Sequence, residues 1–236
     1  MLLWFFDSWL GWQVVMEAFQ REHPEIEMIL EMDREHAPYG DRSSEEILAL
    51  TKAWVERLYA RWADVVILAC NTASVHALRW LQQEVFIWRH ILWVTVPWAE
   101  AVAEWWYRKI WVLATDATVR IRAYKERVHI LDDTIIVEEV AAPWLVPLIE
   151  QGITSWPEIE RLLHIYLSQF SPDIEALVLG CTHYPLIKKE IEKTLGRLRH
   201  PLGFHGFYHP FTLIDPGEEA ARKWERWVRR RHIDFL

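Results

Sequence analysis

Apolar positions follow two rhythms along this chain. Short, nearly unbroken apolar runs rich in β-branched and aromatic residues alternate with longer stretches whose apolar residues return every third or fourth position. The first rhythm is that of strands buried on both faces of a parallel sheet, and the second that of amphipathic helices. Strands are therefore predicted at Leu2–Phe6, Ile26–Glu31, within Ala63–Ser74, at His90–Val96 (stopped by Pro97), Lys109–Ala114 and Thr134–Glu139, within Glu175–Pro185, and at Thr212–Ile214. Helices are predicted at Gln13–Arg21, from Ser43 or Ser44 to about Arg61, from Thr72 or Ser74 through Gln83, at Ala99–Trp106, and after a Thr115 or Asp116 cap. Further helices are expected within Pro143–Gly152, which carries Glu150, and at Trp156–Gln169, Pro185–Leu195 and Glu218–Arg231. Asp7–Trp12, His36–Ser43 and His200–Pro210 read as loops. Strand and helix alternate throughout, so the expected fold class is α/β with mainly parallel sheets.

Two stretches stand out from this pattern. ADVVILACNTAS (Ala63–Ser74) and EALVLGCTHYP (Glu175–Pro185) each end a strand in a small residue, a cysteine and a cluster of hydrogen-bonding side chains. Cys70 and Cys181 are the two cysteines of the chain, and they stand about half its length apart. The carboxyl ends of parallel strands are where α/β proteins place their chemistry. The pattern thus predicts two similar halves, each offering one thiol to a shared cleft.

Several chemistries use a thiol. A zinc site needs more ligands than His183 and the two cysteines supply, because neither CxxC nor HxxxH accompanies them. A disulfide suits a chain without targeting signals poorly. A nucleophilic Cys181 paired with His183 would leave Cys70 without a role. Two bases on opposite faces of one carbon use both thiols, and that arrangement inverts a stereocentre through a carbanion. Asn71, Thr72 and Thr182, with the amides of a helix N-terminus, can hold carboxylates. Asp7 and His183 can tune the two thiols. Small polar residues after strands also simply cap helices, but capping does not account for both cysteines falling at equivalent places.

At this point the sequence resembles a known family, the cofactor-independent glutamate racemases of the aspartate/glutamate racemase superfamily. The resemblance is carried by FDS (Phe6–Ser8), PYGDRS (Pro38–Ser43), CNTAS (Cys70–Ser74), LATDATV (Leu113–Val119), LVPLIEQG (Leu145–Gly152), LGCTHYPL (Leu179–Leu186) and LID-x-GEEAAR (Leu213–Arg222). It implies two pseudo-symmetric three-layer α/β domains with the active site in the cleft between them. The first domain would comprise residues 1–92 plus 209–236 and the second 93–208. It implies interconversion of L- and D-glutamate without cofactor or metal, to supply D-glutamate for peptidoglycan, in an enzyme that is commonly a homodimer. Cys70 would be the base for the D-enantiomer and Cys181 for the L-enantiomer. Asp7 would assist Cys70, with His183 on the Cys181 side and Glu150 nearby. Ser8, Tyr39, Gly40, Asn71, Thr72 and Thr182 would bind the ammonium and carboxylates, together with Asp7 and His183.

Composition changes this picture at one point. There are 16 tryptophans and 8 glycines, and Trp4, Trp9, Trp12, Trp93 and Trp111 stand where the family usually has glycine. Five departures of one kind point to an altered sequence. Glycine in such places supplies positive φ or close backbone approach, so backbone strain is expected there, and a ring beside Ser8 would fill the pocket. Two alternatives follow, a folded but catalytically impaired scaffold and a racemase for another acidic amino acid such as aspartate. Ala142 and Pro216 replace residues that are often Cys and Ser.

The remaining signals are bland. The net charge of −8 argues against nucleic acid as partner. No apolar run approaches the ~20 residues that span a bilayer, and the N-terminus lacks a basic region, so a cytoplasmic location is expected. The basic helix with Arg222, Lys223, Arg226, Arg229, Arg230 and Arg231 is read as a solvated face with Trp224 and Trp227 beneath it, an acidic partner being the minor alternative. A metal site at His200, His205 and His209 is disfavoured for want of a rigid scaffold.

Overall fold

The computed structural model describes residues 2–9, 11–152, 156–171, 173, 175–198 and 211–230. The histidine loop at residues 200–210 and Arg231 lie outside the described residues.

The first sheet is built from β1 (Leu2–Asp7), β2 (Glu27–Met32), β3 (Val65–Leu68) and β4 (His90–Trp93), joined by α1 (Trp12–Glu22), α2 (Ser44–Ala60) and α3 (Asn71–Trp80). After α4 (Pro97–Glu104) comes the second sheet. Its strands and helices are, in order, β5 (Lys109–Ala114), α5 (Asp116–Arg120), α6 (Ala123–Leu131), β6 (Ile136–Ala141), α7 (Leu145–Glu150), α8 (Trp156–Leu167), β7 (Ala176–Gly180), α9 (Lys188–Leu198) and β8 (Thr212–Ile214). The chain closes with α10 (Pro216–Arg222) and α11 (Trp224–Arg230).

The sheets are ordered β2-β1-β3-β4 and β6-β5-β7-β8, with parallel pairing throughout. The strand orders are the same, which is the expected pseudo-symmetry. In both sheets the order reverses between the first and third strands, at β1/β3 and β5/β7. A crevice opens outside the carboxyl ends of such neighbours. Helices cover both faces of each sheet. Leu3, Phe5, Val65 and Ile67 pack with α1 and the C-terminal helices, while Trp4, Phe6, Val66 and Leu68 face α2 and α3. In the second sheet Trp111, Leu113, Leu177 and Leu179 face α7 to α9, and Ile110, Val112 and Val178 face α4 and α6.

Local physics accounts for the shifts from the predicted boundaries. Ser43 caps α2 in a full capping box with Glu46, a contribution of about 1 kcal/mol. Helix α3 is capped by Cys70, not by Thr72 or Ser74, because the Ser74 hydroxyl donates to the Leu68 carbonyl and that of Thr72 meets Thr115. The fourth strand ends at Trp93, short of the predicted Val96, and Pro97 instead opens α4, since its fixed φ suits the first helical turn. The predicted helix Glu218–Arg231 divides at Lys223 into α10 and α11. Strand β8 pairs with β7, and α10 then packs against α1. Trp224 and Trp227 are buried as expected, and Lys223 and Arg226 both pair with Glu104.

Strain does not fall where the tryptophans replace family glycines. None of Trp4, Trp9, Trp12, Trp93 and Trp111 has positive φ. Their cost is polar instead, because the buried indole N–H groups of Trp4, Trp12 and Trp111 have no partner among the described residues, at roughly 1–3 kcal/mol each. The strained tryptophans are Trp62 (φ 66°) and Trp106 (φ 63°), just past the ends of α2 and α4 and 88% and 79% exposed. This left-handed position after a helix belongs to glycine. Trp62→Gly and Trp106→Gly are each expected to stabilise the fold by roughly 1 kcal/mol, read as melting temperatures about 2–4 °C higher.

Candidate active site

The two strand pairs bring their carboxyl ends to one pocket. Ser8 follows β1, Cys70 follows β3, Thr115 follows β5 and Cys181 follows β7, and all four line it. Tyr39, Gly40, Asn71, Thr72, Thr182 and His183 complete the polar wall, while Trp9, Pro38, Pro143, Val146 and Pro147 supply the apolar part. Every predicted substrate-binding residue except Asp7 therefore meets here. Asp7 lies fully buried behind Ser8, and Glu150 lies behind His183.

On the first side, Cys70 Sγ accepts from the Ala73 amide (3.4 Å) and sits 3.2 Å from Ser8 Oγ. Asp7 Oδ1 accepts the Trp9 N–H at 3.3 Å. Burial pushes the Asp7 carboxyl up to about 6, against the opposing charge of His183 and the amides of Trp9 and Ser8. A helix N-terminus favours a thiolate, but at Cys70 burial wins. Together with the Asp7 charge it pushes the thiol up to about 12, past the lowering effect of Ser8 and the Ala73 amide. Cys70 is thus a neutral thiol at pH 7 and holds a proton to give.

The second side is built differently. Cys181 Sγ is 3.7 Å from His183 Nδ1, and His183 Nε2 bonds to Glu150 Oε1. Burial alone would lower the imidazole, but the hydrogen bonds to Cys181 and Glu150 and the charge of Asp7 carry it up to about 10. His183 is therefore an imidazolium at neutral pH, a proton donor beside the sulfur. The folded chain gains from this charge fully below pH 6.5, and the gain is lost as pH rises through about 10. A bell-shaped profile of kcat/KM against pH is expected, with limbs near 6 and 10. Asp7→Asn should remove the acidic limb, and Glu150→Gln should move the alkaline limb to lower pH.

A supporting layer fixes the pocket wall. Tyr124 donates to Asn71 Oδ1 at 2.8 Å, leaving the Asn71 amide nitrogen for a ligand. Tyr39 donates to Asp33 Oδ2 at 2.7 Å, and Asp33 also bonds to His36. The hydroxyls of Thr72 and Thr115 lie 2.9 Å apart, and Thr115 donates to Thr118. Thr115, expected only as a cap, makes no side-chain cap bond; its signal was its equivalence to Ser8 after the matching strand. Tyr124 and Asp33 stand in no motif, and Thr118 lies within LATDATV without a role assigned by it. Gly11 lies directly against Thr182 and His183, where a Cβ would stand 2.7 Å from Thr182 Cβ and 2.9 Å from His183 Nδ1.

The pocket wall offers the N-terminus of α3 and the Thr72 and Thr182 hydroxyls to an anionic group, and both sulfurs line it. Among the described residues, no helix is long and apolar enough to cross a membrane.

Comparisons with known proteins agree with this geometry. The family model for Asp/Glu/Hydantoin racemase matches residues 15–223. A glutamate racemase from Ruegeria pomeroyi is 38% identical over 204 residues, covering 81% of this chain and 76% of the relative. Among solved structures, glutamate racemase isoform RacE1 from Bacillus anthracis superposes with a TM-score of 0.86 at 28% identity, covering 98% of this chain and 83% of that one. A glutamate racemase from Francisella tularensis in complex with D-glutamate gives 0.85 at 28% identity, with coverage of 98% and 81%.

Proposed function

Because this chain belongs to the Asp/Glu/Hydantoin racemase family, and is thus an isomerase, we propose that it interconverts L- and D-glutamate by passing protons between substrate and two thiols. The observation that carries this reading is the placement of both cysteines on one pocket, at equivalent switch points of two like sheets.

In this reading L-glutamate binds with its α-carbon between the sulfurs. The Cys181–His183 pair takes the α-proton, and the Cys70 thiol delivers its own to the opposite face. The reverse reaction begins at Cys70, with buried Asp7 assisting loss of the thiol proton. Glu150 holds the His183 ring, and Ser8, Tyr39, Gly40, Asn71, Thr72 and Thr182 hold the substrate. The scheme removes one proton from the α-carbon and returns another, so it consumes no redox equivalent. The rest of the reading follows the family resemblance: a homodimer in the cytoplasm supplying D-glutamate for peptidoglycan, with the two sheets and their helices as its two domains.

The test is proton NMR of the enzyme with L-glutamate in heavy water at neutral pH. Loss of the α-proton signal together with decay of optical rotation is the expected result. A folded sample that exchanges no α-proton from either enantiomer would overturn the reading.

A further inference from the structure

The pocket is lined on both sides by the expected groups, yet it is nearly full. The space open to the centre of a water-sized sphere is only about 20 Å³, room for one or two waters. Glutamate, with two carboxylates and an ammonium, is several times larger.

The residue that fills the space is Trp9. Its backbone belongs to the loop after β1, but its side chain packs on the apolar cluster of the second sheet. The ring meets the His183 ring edge-on at 6.4 Å and 77°. The indole thus reaches across the cleft and ends beside the Cys181–His183 pair. The polar wall cannot yield this volume, because Tyr39, Asn71 and Thr72 are each held by a buried partner. Trp9 makes no side-chain hydrogen bond among the described residues and is half-buried, so no polar partner fixes its ring.

We propose that Trp9 is a size filter, the residue that sets substrate specificity: glutamate binds only when the indole leaves the pocket, and a shorter acidic amino acid displaces it less. This rests on the racemase reading. The filter acts on binding, so it appears in KM before kcat, and relief is expected to be about tenfold or more, the discrimination that added side-chain volume ordinarily gives in a fitted pocket.

The experiment compares wild type, Trp9→Phe and Trp9→Gly on both enantiomers of glutamate and aspartate, with calorimetric titration of D-glutamate alongside. Trp9→Gly is expected to lower KM and Kd for glutamate at least tenfold with little change in kcat. The aspartate-to-glutamate ratio of kcat/KM should fall at least tenfold, with Trp9→Phe intermediate. Unchanged KM, Kd and substrate ratio in both variants would overturn the filter. Tighter binding without inversion of any substrate would uphold the filter and sink the racemase reading. Unaltered racemisation by all three proteins would do the reverse. Should Trp9→Gly fail to fold, an unaltered Kd in Trp9→Phe is enough to reject the proposal.

Discussion

Exchanging either sulfur for oxygen stops racemisation: Cys70→Ser and Cys181→Ser are each expected to lower kcat by about 10³-fold or more, at the upper end of what a positioned acid or base contributes. An alcohol is a far weaker acid than a thiol, so at Cys70 the buried donor becomes harder still to ionise, and at Cys181 the hydroxyl no longer supplies an anionic base beside His183. Both thiols are buried, and the exchange changes volume little but buries a hydroxyl, so a stability loss of up to roughly 1–3 kcal/mol is expected where it finds no partner. The two variants separate by enantiomer. Cys70→Ser keeps the Cys181–His183 base and should still exchange the α-proton of L-glutamate with solvent without inverting it. Cys181→Ser should retain the corresponding exchange only with D-glutamate. Full racemisation by both variants would remove the two-thiol mechanism.

The second large effect comes from a residue that touches no substrate. Gly11→Ala places a methyl where Thr182 and His183 now stand, at 2.7 Å from Thr182 Cβ and 2.9 Å from His183 Nδ1. Those atoms must retreat, and His183 carries the contacts to Cys181 and Glu150. Displacing a catalytic group by about 1 Å can cost on the order of 10²-fold in rate, so kcat/KM is expected to fall by about that factor. Overpacking adds a stability loss of roughly 1–3 kcal/mol. The alkaline limb of the pH profile should move with it, which unfolding alone would not produce. Gly11 has φ −60°, so its role is space rather than backbone freedom, and serine should be no better than alanine.

How far the sequence revealed these features depended on the kind of signal each leaves. Strands such as Val65–Leu68 and Ala176–Gly180 are buried along their full length, and total burial leaves unbroken apolar runs that cannot be mistaken. A chain with two cysteines at the ends of two such runs announces its pocket. Asp7, His183 and Glu150 were legible through the motifs around them. Tyr124 and Asp33 were not, because each acts only through a wall residue, Tyr124 through Asn71 far off in sequence and Asp33 through Tyr39 across the following loop. The tryptophans were legible as apolar but not in direction: Trp224 is fully buried while Trp88 is 92% exposed. Local pattern says that a ring is there; only packing says what it displaces.

The core beneath the outer face of the first sheet joins Leu3, Phe5, Val15 and Ile67 to Ala220, Ala221, Trp224 and Val228. The two groups lie at opposite ends of the chain. On the ribosome the first half is therefore finished long before its own cover exists. From the emergence of β4 until residues 216–230 leave the exit tunnel, the part of this apolar face that α1 does not cover stays open to water and to other nascent chains. Folding of the amino-terminal half thus waits on residues 216–230, and a truncation that removes only α10 and α11 should yield aggregate rather than a smaller folded enzyme.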